Sequence, residues 1–408
     1  MNKTIWIVNQ FASHLEERHL NLAANFAEKG YNVVVITTSF HHGRHIYLYD
    51  EELKVVEKQQ GVTYIYLKSR PPYMTGAGKR TLHMLDFCYR FDKYRKKIAE
   101  SFGKPDYVLA SSAPPFVWEI GYRAAKKYGA KFIAEFRDIW PLSLVEVQGT
   151  SAKHPFVKLL EVVEKRAYKH ADAIVGTMPY AYKHVCDELG FPRSKVYWMP
   201  NGLNVQKAEQ ELADAELKLP KELDDFLTQH WCCIYIGSIV KSERVGYMID
   251  AWKQVKNKEI CFAIIGDGNV VPDIEQQIRT CNSGRVRHFQ SIPKEQIPLA
   301  LSKAKCCLAA RPDYAIYRYG LSMYKLYDYL FSGKPTVFAC DVDNVVKDAG
   351  GLVVPFGDPQ LMANAIEQAM TYTNDELKEI AEREQQIVRE CYDYRAIADR
   401  YLKLLESL

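Results

Sequence analysis

Short apolar runs alternate with longer amphipathic stretches from one end of this chain to the other, and this alternation most limits its fold. Residues 5–8, 33–37, 62–66, 107–111, 132–136 and 173–176 are bounded by turn residues and too short for buried helices, so they read as strands. Stretches such as 16–29 and 116–127 between them carry helical periodicity, and Gly30 stands where a helix C-terminal cap is expected. The pattern restarts at 233–236, 261–265, 286–288, 306–310, 335–339 and 352–354. Strand–helix alternation of this kind predicts parallel βαβ units, an α/β architecture.

The two halves meet at Pro200-Asn201-Gly202, which is turn chemistry followed by a charged stretch with no strand character. At 408 residues the chain is too long for one ordinary core. The expected division is therefore 1–204, 205–390 and a C-terminal helix 391–408 packing back on the first domain. Two doubly wound domains facing each other would place a cleft at the carboxyl ends of both sheets. With 48% hydrophobic and 25% charged residues the composition is globular, and a net charge of +4 does not call for nucleic acid. Cys232-Cys233 and Cys306-Cys307 lie inside strand-like runs and read as buried thiols, which suits a reducing cytoplasm. No secretory signal is visible at the start, and no apolar run approaches the about 18 residues of a membrane span, so any membrane contact is expected to be peripheral.

Residues 319–336 read as a loop, a short helix, a Gly turn and a strand. A helix start after Gly320 offers its amides, at Leu321 and Ser322, to an anion. On spacing alone, Lys325 and Asp328 are an i,i+3 pair worth about 0.2–0.5 kcal/mol. Strand 233–236 runs into Gly237-Ser238-Ile239-Val240-Lys241-Ser242-Glu243-Arg244, and strand 261–265 into Gly266-Asp267-Gly268. In the first half, Glu135-Phe136-Arg137-Asp138-Ile139-Trp140-Pro141 closes a buried strand, where charge is costly unless solvated, paired or used.

Taken together these stretches resemble GT-B glycosyltransferases of the family-four, retaining kind, and the resemblance covers essentially the whole chain. It implies two Rossmann-like domains, the second holding a nucleoside-diphosphate sugar and the first an acceptor. Family members carry a Glu, seven residues, a second Glu, then Gly and Pro before a strand. Asp328 stands at the second acid, with Gly333 and Pro335 in register, and becomes the ligand of the donor ribose. The first acid falls on Gly320, a departure. The diphosphate would be neutralised by Lys325, Arg244 and Lys241, with Gly237 and Ser238 beside it. Gly266 belongs to the base pocket, where backbone at Phe289, Ser291 and Ile292 would meet the base. Met199-Pro200-Asn201-Gly202 closes the first domain in the family manner. Arg137-Asp138-x-Trp140-Pro141 is similar to a motif of transferases that build bacterial surface polysaccharides, with Arg137 where many relatives have His. Arg137, Asp138, Lys325 and Arg244 are thus the expected catalytic residues. Reaction on one face of the sugar, with the leaving phosphate taking the acceptor proton, would need no protein nucleophile, catalytic metal or cofactor.

The first loop departs too: it lacks the family's paired glycines, and Ser13 with Glu16 resembles a capping box. His14 and Arg18, a turn apart, are candidate acceptor contacts. Residues 70–97 interleave Lys79, Arg80, Arg90, Lys93, Arg95, Lys96 and Lys97 with Met84, Leu85, Phe87, Tyr89, Phe91 and Tyr94, a composition suited to an anionic membrane surface. Residues 153–169 add cations beside Phe156, Leu159 and Leu160, although there core packing is the favoured reading. The expected activity is transfer of a sugar, UDP-linked, to a lipid-linked oligosaccharide or similar saccharide acceptor on the cytoplasmic membrane face. Two rivals remain: a non-hydrolysing UDP-sugar 2-epimerase of the same architecture, and, from another class, a catalytically silent partner subunit that binds nucleotide or a partner transferase. A dehydrogenase is disfavoured because no G-x-G-x-x-G follows the opening strand.

Overall fold

The computed structural model describes residues 3–12, 17–58, 61–74, 76–281 and 283–408. The chain forms two compact units, Met1–Asn201 with Tyr394–Leu408, and Gly202–Asp393. The first unit holds β1 (Thr4–Val8), β2 (Asn32–Thr38), β3 (Phe40–His41), β4 (Ile46–Tyr47), β5 (Leu53–Lys58), β6 (Val62–Leu67), β7 (Tyr107–Ser111), β8 (Lys131–Phe136), β9 (Ala173–Gly176) and β10 (Val196–Trp198). β3 and β4 make a small antiparallel ribbon. The other eight form one sheet in the order β10-β9-β8-β7-β1-β2-β6-β5, parallel except for β5.

β5 and β10 are not among the strands read from the sequence. β5 carries Lys54 and Glu57 and pairs only with β6, so it is a half-exposed edge where charge is tolerated. β10 has three residues and forms the opposite edge. The inner strands are apolar because helices cover them. On one face Ile5, Ile7, Val33 and Val35 pack with Leu22 and Phe26 of α1 (Glu17–Glu28) and with Tyr401 and Leu405 of the helix Tyr394–Ser407. On the other lie α2 (Ala77–Phe102) and α3 (Phe116–Tyr128), followed along the chain by α4 (Pro155–His170).

The second unit holds β11 (Trp231–Ile236), β12 (Ile260–Ile265), β13 (Val286–Phe289), β14 (Cys306–Ala310), β15 (Thr336–Ala339) and β16 (Leu352–Val354). They form an all-parallel sheet in the order β13-β12-β11-β14-β15-β16. Side chains alternate between two cores: Cys232 and Ile234 pack on one face, Cys233 and Tyr235 on the other. All four strand-pair cysteines are buried free thiols. Strand order reverses between β11 and β14, and in such a sheet ligands bind beyond the carboxyl ends at that switch point.

Candidate functional site

Three loops meet at the carboxyl edge of the second sheet. Gly237 N–H donates to Ile265 O at 3.0 Å, Ile239 N–H to Asp267 O at 2.8 Å, and Gly266 N–H to Phe289 O at 3.1 Å. A Cβ on Gly266 would lie 1.9 Å from Gly237 O, and one on Gly268 2.1 Å from Ile239 O, so only glycine lets the backbones close. This rim brings Gly237, Ser238, Gly266 and Phe289 together. Ser291 is exposed just beyond β13, while Ile292 packs partly against the core beneath.

A charged cluster stands beside the rim. Lys325, near the start of the helix Tyr324–Phe331, places Nζ 2.5 Å from Glu243 Oε2 and 2.9 Å from Tyr235 Oη. Arg311, leaving β14, donates from Nη2 to Glu243 Oε1 at 2.7 Å and from Nη1 to Ser242 O at 2.9 Å. Tyr235 donates its hydroxyl to Ser238 O at 2.7 Å, tying cluster to loop. Burial holds the Lys325 pKa below its usual value, with Glu243 opposing the shift. Two cations share one carboxylate, so the cluster keeps a positive surplus in fixed geometry. Such a surplus can stabilise an anion without reorganising.

Lys325 therefore takes Glu243 as its ion-pair partner rather than Asp328. Asp328, one turn on, is half-buried and lines a groove of about 210 Å³ with Ala208, Leu212, Pro298 and Arg389. Glu243, Tyr235 and Arg311 are absent from the residues singled out by sequence. Their signal was available, since Arg311 and the Glu243 turn each follow the carboxyl end of a buried strand, the criterion already applied to Arg137.

Gly320 has φ 88° and ψ 177°, a region open in practice only to glycine. The family's first Glu could not occupy this backbone without strain, so the departure is conformational as well as chemical. Leu321 packs partly on the core, and Ser322 Oγ lies 3.2 Å from Tyr327 Oη. The helix begins only at Tyr324 after Met323, so the amides of Leu321 and Ser322 belong to the preceding loop and not, as the sequence suggested, to a helix start. Arg244, in a left-handed conformation at φ 52°, sets its guanidinium carbon 5.9 Å from the centre of the Phe356 ring. Lys241 is exposed on the preceding turn.

In the first unit the carboxyl end of β8 is held from below by Glu135. Arg18 donates to its carboxylate from Nη2 at 2.7 Å and Nε at 3.2 Å, His19 Nε2 lies at 3.0 Å, and Ser111 Oγ donates at 2.7 Å. Tyr401 donates to the same carboxylate. Burial alone would raise the Glu135 pKa, but Arg18 and His19 outweigh it and hold it well below the usual range. Arg18 also donates to the carbonyls of Pro200 and Met199 and is fully buried. This corrects its assignment as an acceptor contact: the helix turn that carries it points inward, and its donors are engaged within the protein. His14, with Ser13 and Glu16, lies outside the described residues.

Above Glu135, Arg137 is half-exposed and donates from Nε to Ser112 O at 3.0 Å. Asp138 is open to solvent, yet desolvation by surrounding protein raises its pKa against the opposing pull of Arg137. The pair thus lies at the carboxyl edge of its sheet, a cation held by a backbone carbonyl beside a carboxyl whose pKa is raised.

The comparisons with known proteins agree with this arrangement. Residues 16–207 match the model of Glycosyltransferase Family 4, and residues 232–372 that of Glycosyl transferases group 1. WbjE of Pseudomonas aeruginosa, named as a probable glycosyltransferase, is 20% identical over 67% of this chain and 68% of its own. WcaI of Escherichia coli (strain K12), a glycosyl transferase named for colanic acid biosynthesis, is 21% identical over 60% of this chain and 59% of its own. The solved structure of Anabaena HepE in complex with UDP and glucose superposes with a TM-score of 0.69 at 15% identity, covering 100% of each chain. With both halves matched and the two parallel sheets in place, the chain belongs to the GT-B glycosyltransferases of the family-four type.

Proposed function

We propose that the protein transfers a sugar, with retention, from a UDP-linked donor to a lipid-linked oligosaccharide during synthesis of a bacterial surface polysaccharide. The observation that carries this reading is the Lys325–Glu243–Arg311 cluster beside the Gly237 and Gly266 loops at the switch point of the second sheet. Cleavage of the donor bond leaves positive character on the sugar and negative charge on the diphosphate. The cluster is already assembled to receive that charge, Glu243 keeping both cations in place. Asp328 is the proposed partner of the ribose hydroxyls, with backbone near Phe289 and Ile292 for the base. Arg137 and Asp138 serve the transferred sugar and the acceptor hydroxyl. UDP as the base-bearing half draws support from HepE, and polysaccharide synthesis from the name of WcaI.

Support for membrane contact comes from α2, whose apolar residues point both ways. Phe87, Phe91 and Ile98 pack inward, while Leu82, Leu85 and Tyr89 form an outward stripe, 57%, 46% and 65% exposed. The same stripe continues into the exposed cations Lys93 and Lys96. An apolar ridge running into lysines suits an anionic lipid surface. Among the described residues no helix is long and apolar enough to cross a membrane.

A thermal-shift panel of nucleotides and nucleotide sugars tests the donor. UDP at about 100 times its Kd should stabilise by about 2.7 kcal/mol. Asp328→Ala is expected to abolish that shift. Arg137→Ala should keep it and lower transfer about 10²–10³-fold, the usual loss of one electrostatic donor. An unmoved melting temperature with every nucleotide sugar would sink the reading, and donor consumption without acceptor would favour the epimerase.

A further inference from the structure

Gly266 is held on three sides. Its N–H donates to Phe289 O at 3.1 Å, and the Gly237 carbonyl stands where its side chain would begin. The third hold is a side chain with no role so far in the donor site: His288 of β13, whose Nε2 lies 3.0 Å from Gly266 O. A carbonyl oxygen only accepts, so Nε2 carries the proton and donates. The imidazole is 6% exposed, and Glu275 Oε1, on the helix Val271–Cys281, lies 3.1 Å from Nδ1 and braces the ring at its other edge. A trans peptide points its N–H opposite to its C=O, so the bond to His288 also sets the aim of the Asp267 N–H in the exposed part of the loop. From Gly266 the hold passes on towards the cations. Gly266 meets the Gly237 carbonyl, and a Cβ on Gly237 would lie 2.9 Å from Lys325 Nζ. His288, Gly266, Gly237 and Lys325 thus form one line of contacts from the edge strand of the sheet to the charged cluster.

We infer that His288 is a positioning residue for the donor nucleotide: without touching it, the imidazole fixes the Gly266 turn against Gly237 and so places the rim beside Lys325. Packing alone would not call for a histidine here, since an apolar ring of similar shape fills the same space. Such a ring would leave the Gly266 carbonyl without its donor and the turn free to rotate. Burying a polar ring is costly unless both nitrogens are engaged, and here both are. This role rests on the transferase reading and deepens it, naming what holds the nucleotide rim in place.

Three substitutions in the full chain separate the donated proton from the packing of the ring, with UDP binding followed by titration calorimetry. His288→Phe keeps a ring and removes the N–H. It should weaken UDP at least about tenfold, the size of one lost buried hydrogen bond, and speed hydrogen exchange in residues 237–244 and 266–270 of the ligand-free chain. His288→Gln keeps an N–H near the Nε2 position and should restore UDP affinity to within about threefold of the native chain. Glu275→Ala removes the outer brace and should weaken UDP by a smaller factor. Combined with His288→Phe it should add nothing, because Glu275 acts only through the ring. Unchanged UDP affinity in His288→Phe, a Gln variant as weak as the Phe variant, or additive losses in the double variant would each overturn the role. Should His288→Phe misfold, Glu275→Ala decides, since Glu275 is 44% exposed and its loss leaves the core intact. UDP affinity and loop exchange both unmoved there would also overturn it. A native chain that binds no UDP removes the transferase reading together with this role, whereas UDP binding that ignores residue 288 removes this role alone.

Discussion

Arg18 shows how one side chain can look like a ligand contact and serve as a strut. In sequence it is a cation in the first loop-to-helix region; in the fold it is a buried ion joining α1, β8 and the last helix through Glu135 and Tyr401. Removing one partner of such a pair leaves an uncompensated buried charge. Arg18→Ala is therefore expected to cost about 3–5 kcal/mol in denaturant unfolding, far more than loss of a surface cation. A variant with near-native stability would contradict the buried network. Glu384 is the opposite case: fully buried, with neither carboxylate oxygen hydrogen-bonded, its pKa is pushed up to about 9 by burial, with Arg383 opposing. Between the unfolded pKa near 4.5 and about 9 the folded state binds the extra proton, so this residue lowers stability as pH rises through that window. Glu384→Gln should thus gain on the native chain by up to about 1.4 kcal/mol per pH unit between pH 5 and 8, read by chemical denaturation at both. A constant difference between the two proteins across that range would rule the account out.

At the level of elements, the glycine loops after β11 and β12 are built by exclusion. Gly266 sits at φ 151° with the Gly237 carbonyl where a side chain would begin. Gly266→Ala should push the two loops apart and cut UDP binding at least about tenfold, a change seen as loss of the UDP-induced thermal shift. If UDP binds the variant as before, the rim does not hold the donor. Both turns were readable as Gly-containing loops after strands, but their mutual contact was not, because two loops separated by a strand and a helix share no local pattern. The helix Tyr324–Phe331 was likewise readable as a helix with Lys325 on a polar face. Its partner Glu243 was not, because that pairing depends on how far the β11 loop reaches over the sheet edge. α2 carries the same lesson in reverse: its mixed basic and aromatic composition was visible, whereas which aromatics face inward became clear only once the sheet beneath it was in place.

For the whole molecule, the decisive feature is that the chain returns to its first unit. Tyr394, Ile397, Tyr401, Leu402 and Leu405 are buried there, each such side chain contributing about 1.5–3 kcal/mol, and Tyr401 completes the Glu135 network. Ending the chain at Asp393 should therefore unfold or aggregate the first unit, even though the deletion lies after the second; a truncated chain with a native far-ultraviolet spectrum and unchanged melting would refute this. Local order was largely set by the amino-acid sequence itself. Apolar runs of strand length, helical periodicity and the turn at Pro200-Asn201-Gly202 act between near neighbours, and they yield twelve of the observed strands and the two-part α/β plan. The chemistry at the rims was decided by tertiary structure. Which carboxylate holds Lys325, and that Arg18 is a buried strut, depend on long-range contacts, and the positive-φ backbone that would strain a Glu at position 320 shows only in the folded loop. Such contacts form between residues that become neighbours only after parallel strands are ordered across a sheet, and no spacing along the chain encodes that order.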